Sequence, residues 1–154
     1  MTAETFIDCR EVEVGSPLFG EELELRDEVL RRPLGRPSSA GERERDLLGR
    51  HFIALAADEV IGCVGLYPEA GAAARLRHLA VAPRAQRKGV GRKLVTFAES
   101  CGVEAQIACV DVEARAGAVP FYEACGYAAE GETFLRHGVP HRLMRKSLAI
   151  NGGA

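Results

Sequence analysis

An α/β (α+β) fold is predicted for this chain, with a mixed, mostly antiparallel central sheet of about seven strands flanked by helices, in the order β-α-(α)-β-β-β-α-β-α-β-β. Three observations predict it. Apolar runs at residues 51–57 and 60–67, and again at 127–134 and 141–148, are separated by short polar turns and read as antiparallel hairpins. A further apolar run at 76–81 is broken by Pro83, then followed by a glycine-containing loop and a helical pattern. Helices between later strands act as crossovers, which place strands in parallel in the middle of the sheet.

Taken in order, residues 5–14 form a first strand with imperfect alternation, and Ser16-Pro17 breaks it. Residues 21–32 follow as a helix, with Leu23, Leu25, Val29 and Leu30 as its apolar positions. Glu22–Arg26, Asp27–Arg31 and Glu28–Arg32 stand at i,i+4 in the favourable order. Pro33 is expected to end it. Residues 33–41 are loop, and 42–46 a short charged helix or a mobile segment. The first hairpin turns at Asp58-Glu59, and residues 68–72 turn the chain into the run ending at Val81. The next helix carries Val90, Leu94, Phe97, Ala98 and Cys101 on one face, with Gly102 as its stop. Residues 106–112 read as a strand. Residues 116–125 read as a short helix with Pro120 in its first turn, capped by Gly126. The last two strands are joined by a turn holding His137, Gly138 and Pro140. Residues 1–150 are expected to be a single domain and 151–154 a frayed tail.

Composition narrows the function classes. A chain of 154 residues, 47% hydrophobic and 27% charged, is large enough to bury a core without staples. A net charge of −2 gives no bulk attraction to nucleic acid, and six Phe, three Tyr and no Trp leave few stacking groups. Five cysteines, odd in number and without a C-x-x-C pair, argue against a disulfide framework or a metal site and for a reducing compartment. No apolar stretch is long enough to span a bilayer. The expectation is a cytoplasmic protein with no metal, no membrane and no nucleic-acid partner.

The informative tract is Gln86-Arg87-Lys88-Gly89-Val90-Gly91, leading into Arg92 and Lys93. The first N–H groups of a helix lack internal partners, and the helix dipole favours anions there. Glycine lets a phosphate approach the backbone, and Arg84, Arg87, Lys88, Arg92 and Lys93 surround the same turn. This reads as a pyrophosphate cradle. It is neither a P-loop, which needs Gly-x4-Gly-Lys-Ser/Thr, nor a dinucleotide fingerprint, whose third glycine is missing.

Val81, Pro83, Gln86, Gly89 and Gly91 instead resemble Val-x-Pro-x-x-Gln/Arg-x-x-Gly-x-Gly, the acyl-CoA signature of the GNAT acetyltransferase superfamily. Ala114, Ala118, Phe121, Tyr122, Gly126 and Tyr127 resemble that family's second signature. The segments L-R-D-E-V-L-R-R-P-L-G and G-V-P-H-R-L-M resemble its ElaA/YjcF-like branch. The resemblance implies acetyl-CoA as co-substrate, held by Gln86, Arg87, Lys88, Gly89, Val90, Gly91, Arg92 and Lys93 at the pyrophosphate. It further implies main-chain bonds from Leu79, Ala80 and Val81 to the pantetheine, with the Leu79 N–H on the thioester oxygen. Tyr122 is implied as the acid that protonates the CoA thiolate.

A base must also deprotonate the acceptor ammonium. Glu113, His78 and His141 are candidates, and bulk water is a fourth route. Cys109 and Cys125 lie in apolar contexts, so direct transfer in a ternary complex is expected rather than a thioester relay. The expected acceptor is a primary amine of a small molecule, with a protein amine or a non-catalytic acyl-CoA-binding role as alternatives. The first helix, residues 33–46 and the turn after Phe134 are expected to line its side, and Glu21, Glu22, Glu24, Asp27 and Glu28 read as a solvated acidic face. A homodimer through the last strands is a further expectation.

Overall fold

The computed structural model describes residues 6–35 and 40–149. Thr5 of the predicted first strand, residues 36–39 of the predicted loop and the tail 151–154 lie outside them. The strands are β1 (Asp8–Val12), β2 (Arg50–Ala56), β3 (Glu59–Pro68), β4 (Ala73–Val81), β5 (Cys109–Arg115), β6 (Ala128–Arg136) and β7 (Val139–Ser147). The helices are α1 (Pro17–Arg26), α2 (Ala40–Asp46), α3 (Val90–Glu104) and α4 (Val119–Ala124). One seven-stranded sheet runs β1-β2-β3-β4-β5-β7-β6. Its β4–β5 pair is parallel, while β1–β2, β2–β3, β5–β7 and β6–β7 are antiparallel. The chain divides into two compact units, the first ending at Leu66 and resuming at His78–Ala98, the second comprising Tyr67–Arg77 and the chain from Glu99 on.

In the first unit, Phe52, Ile53, Val64, Val90, Leu94 and Val95 are almost fully buried. The helix α3 lies so close to β3 that a Cβ added to Gly62 would meet Leu94 and Val90 at 2.9 Å. Phe97, on the predicted apolar face, packs edge-on to Phe52 at 5.7 Å. The β2–β3 turn is made by Ala57 and Asp58, both left-handed (φ 49° and 63°). That is one residue earlier than predicted, and it suits the right-handed twist of a hairpin.

The first helix departs most from expectation. Ser16-Pro17, predicted as a breaker, is its start. The Ser16 hydroxyl accepts from the Phe19 N–H at 3.2 Å, and proline sits where no donor is needed. Pro33 does not end the helical path. The chain passes through a π turn at Asp27–Arg31 and a 3₁₀ turn at Arg32–Leu34, and stops at left-handed Gly35. In the π turn the partner register becomes i,i+5, so Asp27 accepts from Arg32 Nε at 2.9 Å. Arg31, predicted to pair with Asp27, donates to Glu42 of α2 instead.

In the second unit, β5 pairs with β4 along Ala73–Leu76 and with β7 along its full length. Gly102 is not the stop of α3; it lies inside the helix and is buried. Gln106 takes the left-handed position (φ 64°), and Ile107 N–H returns to the Gly102 carbonyl at 2.8 Å. The predicted start of the following strand is therefore a helix cap. Gly126 (φ 97°) caps α4 as expected. His137 and Gly138, both left-handed, form the last hairpin turn, and Pro140 belongs to β7. Among the described residues no helix is long and apolar enough to cross a membrane.

Candidate functional site

In the first unit the sequence-predicted residues are arranged chiefly through main chain. His78 adopts φ 59° in the middle of β4, a left-handed conformation that a non-glycine strand residue rarely takes. Its carbonyl accepts the Cys63 thiol proton at an Sγ–O distance of 3.4 Å. A trans peptide is planar, so fixing that carbonyl directs the Leu79 N–H the opposite way. Leu79, Ala80 and Val81 thus follow a kink. Beyond Pro83, the Gln86 amide donates to the Val81 carbonyl at 3.0 Å and closes the loop on the strand end. Arg87 (φ 64°) and Gly89 (φ 80°) turn the backbone into α3. A Cβ at Gly89 would meet nothing within 4 Å, so its role is conformational rather than steric.

The first i→i+4 bond at this end of α3 is Lys93 N–H to Gly89 O, 3.1 Å. The N–H groups of Val90, Gly91 and Arg92 precede it and have no helical acceptor. Arg87, Lys88, Arg92 and Lys93 are exposed around them. Arg84 is committed elsewhere, to Glu59. A hollow of about 610 Å³ beside the turn is lined by Ile61, Arg84, Lys88, Val90 and Lys93, among others.

Behind His78, a charge network ties α1 to α2. Arg26 Nη2 donates to Glu42 at 2.6 Å and to Asp46 at 3.2 Å, and its Nη1 lies 3.5 Å from Glu22. His51 donates through Nε2 to the Asp46 carbonyl at 2.7 Å, and Phe19 packs edge-on against its ring. Glu22 is 1% exposed, so the predicted solvated acidic face is overturned at that residue. The sequence carried one hint, the Glu22–Arg26 spacing, without any sign of burial. His78 is itself depressed to about 3 by burial and by the Arg26 guanidinium, and is neutral at ordinary pH.

In the second unit the candidate residues are side chains. Tyr122 is 5% exposed and packs edge-on to Phe121 (5.0 Å) and Tyr127 (5.8 Å). Burial, with Cys125 adding to it, raises the Tyr122 hydroxyl above its usual range and keeps it protonated. Tyr127 donates its hydroxyl to Glu99 at 2.7 Å. Glu113 accepts from Arg75 (2.7 Å) through one oxygen and from Arg136 (2.6 Å) through the other. His141 donates from Nδ1 to the Val139 carbonyl at 2.7 Å, which leaves the lone pair of the neutral ring on Nε2. Its ring stacks on Phe134 at 5.9 Å, and Arg136 covers the Phe134 ring at 5.6 Å. Glu113 and His141 are thereby joined in one patch that sequence reading treated as separate candidates. Among the described residues no group of His, Cys, Asp or Glu could hold a metal ion.

A family model described as the acetyltransferase (GNAT) domain matches residues 36–148. The Bacillus subtilis (strain 168) protein YyaT is 26% identical over 81 residues, 53% of this chain and 55% of that protein. The aligned part thus spans about half the length of this curated relative. Among solved structures, Escherichia coli ElaA is similar in fold (TM-score 0.81, 19% identity, 92% of this chain and 99% of that one). So is a GNAT family acetyltransferase from Elizabethkingia anophelis with acetyl-CoA bound (TM-score 0.74, 18% identity, 92% and 98%). An aminoglycoside 6'-N-acetyltransferase complexed with coenzyme A has TM-score 0.75 and 19% identity over 91% of this chain and 96% of that one.

Proposed function

This chain belongs to the GNAT acetyltransferase family, and on that premise we propose that it moves an acetyl group from acetyl-CoA directly to a primary amine of a small molecule in a ternary complex. The observation that carries the reading is the turn at Arg87–Gly89 opening α3, with three N–H groups and four exposed cations at one helix end. The pyrophosphate of CoA sits there. Pantetheine runs along Leu79, Ala80 and Val81, and the Leu79 N–H stabilises the thioester oxygen as it turns negative. The amine nitrogen attacks the carbonyl carbon, the C–S bond breaks, and Tyr122 gives its proton to the departing sulfur. Solvent returns that proton, and the nitrogen, cationic after attack, releases its second proton to solvent.

The ammonium proton of the acceptor goes to a base, and His141 is favoured. Its Nδ1–H bond presents Nε2 as acceptor. Glu113 has both oxygens engaged by guanidinium groups, and His78 at about 3 is too weak a base. Residues 1–150 are read as one acyltransferase domain because β4 contributes residues to both compact units.

Calorimetric titration with acetyl-CoA, CoA and ATP is the first test. Acetyl-CoA is expected to bind much more tightly than ATP, and absence of binding by folded protein overturns the cradle. Thiol release with amine libraries then tests turnover; binding without turnover returns the non-catalytic reading. Tyr122→Phe is expected to lower kcat by about 10²–10⁴ at unchanged acetyl-CoA KM. His141→Asn should lower kcat/KM for the amine more than Glu113→Gln does, and the reverse order would move the base to Glu113.

A further inference from the structure

The helix that carries Tyr122 is too short to hold it. With six residues, α4 has little more than a turn and a half, well below the length at which a helix keeps its own geometry. What fixes it comes from two other elements of the second unit. Lys146, on β7, donates through Nζ to the carbonyl of Cys125, the residue that ends α4, at 2.9 Å. The same ammonium donates to Glu99 Oε1 at 2.9 Å. Glu99, on α3, accepts the Tyr127 hydroxyl on its other oxygen at 2.7 Å. The Tyr127 ring stands edge-on to Tyr122, its N–H returns to the Tyr122 carbonyl at 3.0 Å, and the Lys146 ammonium lies 5.7 Å from its centroid.

The Lys146–Glu99 pair joins β7 to α3, and the other contacts end on Tyr122 or on the residues that follow it, up to Tyr127. Even Gly126 conforms, since a Cβ there would meet Lys146 Cε at 3.2 Å. The pair is also shielded, with Glu99 12% and Lys146 28% exposed, so it is worth more than a solvated surface pair. Burial and the Glu99 carboxylate hold the Tyr127 hydroxyl protonated far above neutral pH, so its bond to Glu99 persists under working conditions.

We propose that Lys146 and Glu99 are positioning residues for catalysis, which clamp the end of α4 and aim the Tyr122 hydroxyl at the leaving sulfur. This rests on the reading of Tyr122 as the acid. A general acid needs hydrogen-bond reach in the transition state, and a displacement of about 1 Å costs about a hundredfold in rate. The clamp therefore acts on kcat through one oxygen atom, without touching acetyl-CoA.

A double-mutant cycle tests it. Lys146→Met is expected to lower kcat by about tenfold or more, with acetyl-CoA KM changed less than about twofold. Lys146→Arg, which keeps the charge and the donors, should recover part of the loss. In a Tyr122→Phe background, where no hydroxyl remains to be aimed, Lys146→Met should change the residual kcat by less than about twofold. Equal factors in both backgrounds would overturn the proposal, as would a Lys146→Met enzyme with full kcat. If Lys146→Met does not fold, Glu99→Gln, which weakens the same bridge at constant size, is read in the same cycle with the same outcomes. The acid assignment fails separately and earlier: Tyr122→Phe alone would then leave kcat intact.

Discussion

Two arginines organise the two units, and they do so under different dielectric conditions. Arg26 gathers Glu22, Glu42 and Asp46 with every side chain 4% exposed or less. Arg75 gathers Glu69, Asp111 and Glu113 at 20% exposure, with Glu69 at 35% and Arg136 at 53% beyond it. The number of carboxylates is the same. Water reaches the second network and not the first, so in the first each charge depends on its partners for solvation. The first network is structural glue between α1 and α2. In the second, the charges next to β5 are partly hydrated.

Breaking the hubs tests that contrast. Arg26→Ala removes the one guanidinium shared by three buried carboxylates, leaving Glu42 to Arg31 and Arg43 and Asp46 to Arg43, and should cost about 3–5 kcal/mol in denaturant unfolding; a loss under about 1 kcal/mol would mean that the remaining arginines and water compensate. Acid and mild base should each weaken the same unit, through different groups. Burial pushes Glu42 up, but hydrogen bonds from Arg31 and Arg26 outweigh it and hold it below its ordinary 4.5. Its contribution is present above that value and is lost as pH falls through the lowered one. Burial pushes His51 down, yet bonds to Glu22 and the Asp46 carbonyl win and raise it above 6.5. Its contribution is complete below 6.5 and lost as pH rises through the raised value. Glu42→Gln should flatten the acid limb of stability against pH and His51→Gln the other; unchanged limbs would detach these groups from stability.

Arg75→Ala is expected to cost about 1 kcal/mol, less in high salt, because its network is partly screened. A cost like that of Arg26→Ala would erase the distinction between the units. Arg84→Ala removes an exposed pair with Glu59 (53% and 61% exposed) and should change stability by less than about 0.5 kcal/mol.

Local signals in the sequence were read well where one residue type decides the backbone. Pro83 and Gly126 fall where a break and a cap are found, while Gly89, read as room for a phosphate, turns out to be a left-handed turn residue. Reading failed where a poorer residue does a glycine's work or where tertiary contacts override pairing rules. Gln106 caps α3 while Gly102 stays helical, because the helix can run on until Ile107 reaches back to it. The π turn at Asp27–Arg31 pairs Asp27 with Arg32 at i,i+5 and leaves Arg31 to Glu42, a change that spacing alone does not encode. The burial of Glu22 and His51 was invisible for the same reason: it depends on α2, Phe19 and β2 arriving from distant parts of the chain. Cys63, Glu99 and Lys146 belong to no motif. They are recognisable only by what they touch.

Gly62 has a consequence for how this protein can vary. With Leu94 and Val90 at 2.9 Å from where a methyl would stand, the spacing between α3 and β3 is set by a missing atom. An alanine there would wedge the helix outward at the end that opens at Val90, and lift the turn at Arg87–Gly89 with it. In a saturation library selected for turnover, position 62 should therefore tolerate as little as a catalytic position does, although it lies in the core and meets no reactant. Core permissiveness and functional permissiveness coincide at that one residue.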